Sequence, residues 1–234
     1  MSTDFSPRPG CPLCSIVASA STNANDSPET KILWRDQSLT AYVEQANPVS
    51  SSGHIIIALN LHVPSIYTLS STDLPLLVNI RNIALRLLSS HVDASSASTS
   101  TTDAKRQFHV GFITPPFKDN RIPVTDHLHC HAYVGPADLM GWWRGIAYSS
   151  VAWYSIDDLI AEIRESVSNN RVKSGYQNRN APIDHISEAG VRSGTADGQE
   201  TTVPAILPLV KSPESRRQSS SSLHYSPSPL RTEA

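Results

Sequence analysis

An α+β fold, with an antiparallel meander sheet, one long core helix and a short carboxy-terminal helix, is predicted by three observations. Short apolar runs at residues 32–34, 39–43 and 53–58 follow one another closely and suit strands. Leu74, Leu77, Ile80, Ala84 and Leu87 then form an apolar stripe of helical period. Finally, residues 127–134 alternate histidine or tyrosine with small or apolar side chains, the period of a strand that has two different faces.

Taken in order, the first two strands are joined by the turn Arg35-Asp36-Gln37-Ser38, and the third, Gly53 to Ala58, reads as fully buried. Ser71-Thr72-Asp73 supplies a capping residue ahead of the long helix, and Pro75 is tolerable in its first turn. Residues 93–104, rich in Ser, Thr and Ala, bury too little apolar area to offset ordering and are expected to form a disordered insertion before a strand at 107–113. After the histidine strand, Trp142, Trp143 and Trp153 lie in an aromatic-rich segment, and Ser155-Ile156-Asp157-Asp158 resembles a capping box opening a helix through about Ser166. Beyond Lys173 the chain is rich in Ser, Pro, Arg and Gly, with an unbroken serine run at 219–222, and reads as a disordered tail. The expected organisation is a flexible start over 1–10, one folded domain over 11–172 and the tail over 173–234.

Composition agrees with a single core. The 39% of hydrophobic residues are spread unevenly over 234 positions, and the formal charge of −2 gives no broad basic field for non-specific nucleic-acid binding. Three cysteines, two of them in Cys11-x-x-Cys14, do not make a secreted disulfide framework, and no amino-terminal apolar run suits a signal peptide. No stretch approaches the roughly twenty apolar residues that span a bilayer. An intracellular protein, cytoplasmic and/or nuclear, without a membrane partner is the expectation.

His127, His129 and His131 hold three of the chain's nine histidines within five positions. On a strand their imidazoles share one face while Leu128, Cys130 and Ala132 share the other, so the segment has a chemical side and a packing side. The alternatives are a metal-binding tract or a cluster on an exposed edge.

His127-Leu128-His129-Cys130-His131-Ala132-Tyr133 resembles the signature of the histidine triad (HIT) nucleotide hydrolases and transferases. The likeness extends upstream. Cys11-Pro12-Leu13-Cys14-Ser15-Ile16-Val17 resembles the family's opening, and the segments from Ile32 to Asp36 and Leu39 to Glu44 its first strand pair. Pro48, Gly53-His54-Ile55-Ile56-Ile57 and His62-Val63 resemble a further motif. Gly111-Phe112-Ile113-Thr114-Pro115-Pro116-Phe117 is similar to a segment of the third group of histidine triad nucleotide-binding proteins, which are adenosine phosphoramidase-like; Ile113 stands where that branch commonly has His. The resemblance covers about residues 11–165 and implies a HIT-like fold.

It also implies a mechanism: His129 attacks the α-phosphorus of a nucleotide, water resolves the nucleotidyl-histidine, and His131 donates to a phosphate oxygen or the leaving group. Imidazole suits the task, being neutral near pH 7 and able to attack with one nitrogen while the other is held. Glu44 stands near the position that grips the ribose hydroxyls, and Tyr42 and Ile16 near those that sandwich the base; the alternatives are a turn glutamate and plain core. Cys11 and Cys14, joined by His62 and His127, match the ligand positions of zinc-bearing members, which implies one structural zinc and no organic cofactor; the alternative is a pair of buried free thiols. Cys130 is expected to be core.

Departures bear on substrate. The family commonly has a polar, phosphate-contacting residue three before the triad, where this chain has Val124, with Thr125 the adjacent polar candidate for the nucleotide site. Leu59-Asn60-Leu61 replaces the usual Pro-Lys-Lys, and the connection from Lys118 to Asp126 is longer than usual. The leading expectation is a hydrolase of nucleoside phosphoramidates or related adenylates acting on a purine nucleotide, with a homodimer an inherited expectation. The alternatives are a dinucleoside polyphosphate hydrolase, an aprataxin-type deadenylase, or a nucleotide-binding module that has lost turnover. The absence of cysteine after Lys173 argues against the aprataxin type.

Overall fold

Asp36 closes the first hairpin. Its carboxylate accepts from the N–H groups of Ser38 and Leu39 at 2.7 and 2.8 Å, which sets the turn between β1 (Ile32–Arg35) and β2 (Leu39–Val43). The computed structural model describes residues 5–21, 30–96, 107–122, 124, 126–165 and 185–186. All six residues of β3 (His54–Leu59) are buried, because this strand has neighbours on both sides and packing on both faces.

With β4 (Phe108–Ile113), β5 (His129–Val134) and β6 (Trp153–Ser155), these strands form one antiparallel sheet in the order β1-β2-β3-β5-β4-β6. The meander holds for the first three strands. After the long helix, the histidine strand inserts between β3 and β4, and β6 closes that edge beyond β4.

One face of the sheet carries the main core. Ile55, Ile57, Val110, Phe112, Cys130, Ala132 and Val134 pack there with α2 (Leu74–Ser96) and α4 (Ile156–Glu165). Ser70 caps the approach to α2: its side chain accepts from Thr72 N–H while the Asp73 carboxylate accepts from Ser70 N–H, a capping box on a single 3₁₀ turn. Leu74, Leu77, Ile80 and Ala84 of the expected stripe are buried, but Leu88 rather than Leu87 completes it. Either residue satisfies a 3.6-residue period, and packing chose between them.

Among the described residues, the opposite face carries two smaller clusters, one toward each end. Residues Leu13, Cys14 and Val17 of α1 (Pro12–Ser21) cluster with Tyr42, Ile56 and Ala58, while Ala147 of α3 (Gly141–Ala147) and Tyr148 cluster with Tyr133. His129 and His131 lie between these two covers.

Three expectations change. Residues 93–96, assigned to the insertion, continue α2. The start of the chain is fastened from Phe5 onward: Phe5 packs on the core and its carbonyl accepts from His62 N–H at 2.9 Å. Within the expected tail, Ile186 is buried in the core and His185 sets its ring 5.2 Å from that of Tyr67, an apolar side chain finding core surface that local composition does not reveal. The remainder of the insertion and tail, and Thr125, lie outside the described residues.

Gly111 of β4 sits between His131 on one side and Ser155 on the other. A Cβ there would collide with the Tyr154 carbonyl and lie 2.7 Å from the Trp153 ring, which β6 lays across it. Gly111→Ala is therefore expected to destabilise the fold by about 1–3 kcal/mol, as overpacking does. Urea unfolding checks this; a variant with the wild-type midpoint would show that β6 shifts freely enough to clear both the Tyr154 carbonyl and the Trp153 ring.

Candidate active site

Register builds the site. On the open face, Ala58 lies across from His129, Ile56 across from His131 and His54 across from Tyr133. Ala58 of β3 is the small cross-strand neighbour of His129, while the space over Gly111 of β4, beside His131, is taken by the Tyr154 carbonyl and the Trp153 ring. His127 precedes the strand, and its Nδ1 points to Cys11 and Cys14 at the start of α1, which covers this same face, so all three histidines border one cavity. Leu128, Cys130 and Ala132 do face the core, and burial pushes the Cys130 thiol up, marking it as inert packing.

His129 is half-buried. Its Nδ1 lies 2.7 Å from the His127 carbonyl, so Nδ1 carries the proton that it donates and Nε2 keeps a lone pair. Burial pushes the pKa of His129 down, against opposing effects of the His127 carbonyl and the Asp119 charge, which keeps the ring neutral near pH 7. His129 and His131 line a narrow cavity with Ser65, Phe117, Lys118 and Val124.

A second, larger cleft of about 700 Å³ lies beside it. Its lining includes Ile16, Tyr42, Glu44, Asn47 and Ile122, and Val124 borders both spaces. The volume is in the range of small-molecule sites. Tyr42 is buried, and burial first, then Glu44, raises its phenol. Glu44 Oε1 accepts from Asn47 N–H at 2.7 Å, so one oxygen closes a turn. Val124, standing where a polar residue is common, is buried at the junction.

Behind His131 stands a group of residues without an assigned role in the sequence reading. His131 Nδ1 is 3.0 Å from Tyr148 Oη and 3.3 Å from His54 Nε2. Tyr148 donates to Asp119 Oδ2 at 2.8 Å, and Arg144 grips the same oxygen through Nε at 3.0 Å and Nη2 at 2.8 Å. Arg144 also donates to the carbonyls of Pro48 at 2.9 Å and Asn47 at 2.7 Å. Burial holds His54 down at about 3, with Arg144 and His129 adding to the effect, and drives His131 well below its ordinary range, aided by His129, His54 and Arg144. Burial, then Asp119, raises the Tyr148 phenol. A spacing of four between Arg144 and Tyr148 on a short helix was the one sequence signal of this group.

The Asp119–Arg144 pair is buried, at 1% and 5% side-chain exposure. Removing one partner of such a pair leaves the other charge uncompensated, at about 3–5 kcal/mol. Asp119→Ala should lower the unfolding free energy by about that amount in chemical denaturation. A loss below about 1 kcal/mol would mean that water reaches Arg144 and the pair is not a buried one.

On the other side of the triad, Cys11, Cys14, His62 and His127 are all buried, and their ligand atoms lie within 4.8 Å of one another. The sulfur–nitrogen distances are 3.4 Å from Cys11 to His127 Nδ1, 3.2 Å from Cys14 to His62 Nδ1 and 3.4 Å from Cys14 to His127 Nδ1. A tetrahedral centre about 2.3 Å from sulfur and about 2.0 Å from nitrogen has edges of roughly 3.5 Å, so the four residues fit a metal ion.

The surroundings agree. His127 Nε2 donates to the Leu59 carbonyl at 2.8 Å, which leaves Nδ1 unprotonated and aimed at the thiols. Burial pushes His127 down to about 4, with His62 and His129 assisting and Leu59 and Asp126 opposing. His62 Nε2 faces Asp126 Oδ2 at 3.5 Å, an ion-pair distance, and Arg8 holds the same oxygen at 2.7 Å. Burial raises the Cys14 thiol, the Arg8 N–H opposing it, and a divalent cation is the group that would reverse that cost.

With this geometry in place, comparison with known proteins decides the family. The family model described as "Scavenger mRNA decapping enzyme C-term binding" matches residues 19–143, more than half of the chain. The chain belongs to this histidine triad-like family. Its domain is thus a HIT-like nucleotide-binding and hydrolase domain, and the α+β architecture of the described residues is the HIT-like fold. Cys11 and Cys14 lie before the matched stretch, and Arg144 and Tyr148 after it. No curated protein matches the chain. Among solved structures, that of SMU.412c from Streptococcus mutans UA159 is similar at 17% identity and a TM-score of 0.36, over 56% of this chain and 69% of that one. Among the described residues, no helix is long and apolar enough to cross a membrane.

Proposed function

We propose that this HIT-family chain is a hydrolase of nucleoside phosphoramidates or related adenylates that works through a nucleotidyl-histidine on His129. The observation that carries this reading is the 2.7 Å bond from His129 Nδ1 to the His127 carbonyl, which turns a neutral ring so that its Nε2 lone pair is the free one in the cavity. Purine and ribose occupy the larger cleft, between Tyr42 and Ile16 with Glu44 toward the ribose hydroxyls; the α-phosphate crosses Val124 into the narrow cavity.

His131 Nε2 takes up a proton from water as the anionic phosphate settles beside it; His129 Nε2 then bonds to phosphorus as the phosphorus–amine bond breaks, and the departing amine takes that proton from His131. Water bonds to phosphorus next, the phosphorus–nitrogen bond returns its electron pair to His129, and the water proton restores His131. Cys11, Cys14, His62 and His127 hold a structural zinc, which ties α1 to the start of β5 and takes no part in these steps.

A second reading, hydrolysis of dinucleoside polyphosphates such as mRNA-cap fragments, is favoured by the description of the matched family. Incubating the protein with adenosine phosphoramidate, a dinucleoside triphosphate, a cap dinucleotide and 5′-adenylated DNA side by side separates these possibilities. Fastest turnover of the phosphoramidate is expected. Preference for the pyrophosphate-linked pair would move the assignment to the second reading, and tight binding with no turnover of any would leave a binding module.

A further inference from the structure

We propose that Arg144, Asp119 and Tyr148 form a buried relay that fixes the proton of His131 on Nδ1 and so sets the direction in which this histidine moves protons. The proposal deepens the hydrolase reading and rests on it for its consequence in catalysis. Its structural half stands on the distances alone.

The argument is a proton count. A phenol has one hydrogen to give, and Tyr148 Oη lies 2.8 Å from Asp119 Oδ2 and 3.0 Å from His131 Nδ1. Asp119 Oδ2 already accepts two guanidinium contacts from Arg144 at 2.8 and 3.0 Å, and a carboxylate oxygen outcompetes a neutral imidazole for that hydrogen. The lone pairs of Tyr148 are what remain for His131. Two lone pairs facing each other at 3.0 Å would repel, so Nδ1 must carry hydrogen and donate it. His54 Nε2, at 3.3 Å, then accepts from the same N–H as the longer branch of a shared bond.

With Nδ1 committed, Nε2 is the only nitrogen of His131 left for chemistry in the cavity it lines. It receives the water proton and returns it to the next leaving group, while Asp119, one hydroxyl away, balances the cation formed in between. Stacking holds the parts in register. The Tyr148 ring lies 5.3 Å from that of His131 and stacks on Trp153 at 5.5 Å, and Gly111 lacks the side chain that would displace that indole.

Arg144 adds a second connection. Its other contacts, to the Asn47 and Pro48 carbonyls, hold the loop that follows Glu44 in the nucleotide cleft. One buried guanidinium therefore positions both the ribose side of the cleft and the proton carrier. These are positioning residues: only His131, which they act through, meets the reacting atoms.

The relay is tested first in the unaltered protein. Long-range nitrogen–proton correlation NMR on protein labelled with ¹⁵N-histidine reports which ring nitrogen is protonated, and His131→Gln identifies the signals by their loss. Above the pH at which His131 is charged, Nδ1–H with a pyridine-like Nε2 is expected; an Nε2–H tautomer overturns the proposal whether or not the protein hydrolyses anything. Tyr148→Phe is the matched variant, because it removes only the hydroxyl and leaves Asp119 with Arg144.

In that variant the His131 signals should become a mixture of tautomers. The kcat for the best of the four substrates should fall roughly 10- to 100-fold, with KM within about twofold, the size expected when the partner of a functional histidine is lost. A purely structural role would change the melting temperature and leave tautomer and kcat in place, and that result overturns the relay. Failure of the hydrolase reading shows separately, as the absence of any turnover in the unaltered protein.

Discussion

His129→Ala abolishes turnover of every adenylated substrate, by on the order of 10⁴-fold or more, while nucleotide binding stays within about tenfold. The asymmetry follows from where the ring does its work. In the proposed mechanism His129 makes its strongest interaction with phosphorus only as the bond forms, whereas affinity would come from the larger cleft lined by Tyr42, Ile16 and Glu44. Quenched-flow measurement of product, paired with equilibrium binding of the nucleoside monophosphate, checks both halves. Trapping a nucleotidyl-protein in the unaltered enzyme and not in the variant adds direct support. Wild-type rates in His129→Ala would remove the nucleophile assignment altogether.

The second large effect is on stability. Protein purified without added metal should contain close to one zinc per chain, and a chelator or Cys11→Ser should destabilise it by several kcal/mol, since metal binding energy at a closed site is folding energy. For a domain of this size that is a fall in melting temperature of roughly 10 °C or more. The cause is local: an ion held there would join Cys11 and Cys14 at the start of α1 to His62, after β3, and His127, before β5. Zinc well below one per chain, with Cys11→Ser melting like the wild type, would reduce the thiols to packing and free His127 for the hydrogen bonds of the cavity. His129 is untouched by that outcome, because its orienting partner is the backbone carbonyl of His127 and not the ring.

Residues bound by a local period were legible. Alternation along the histidine strand sets the side-chain faces of Leu128, Cys130, Ala132 and the two histidines of β5 in any sheet, and the helical stripe through Leu74, Leu77, Ile80 and Ala84 needs no partner to be seen. The quartet Cys11, Cys14, His62 and His127 was legible only through resemblance. Its members span 116 positions between Cys11 and His127, and no spacing rule reaches that far.

Asp119, Tyr148 and Arg144 belong to a third kind. Asp119 lay in a connection noted for its length, and Arg144 and Tyr148 in a segment noted for its tryptophans. Their bonds cross 25 and 29 positions and exist because α3 folds back over the sheet face that holds Tyr133. Likewise nothing in the local pattern could place β5 between β3 and β4, or pick Ile186 out of a polar stretch as a core residue.

Local pattern was enough to assign which side chains alternate, which face of the long helix is apolar and which histidines belong to one strand, because these follow from backbone geometry within a few residues. Tertiary structure decided what those histidines do. Packing across the sheet turned His127 toward two thiols, set His129 in a cavity lined by Ser65, Phe117 and Lys118, and backed His131 with a phenol, a carboxylate and a guanidinium. Contacts of that kind are set by which distant segments share a surface, and that is a property of the whole packed chain rather than of any stretch of it.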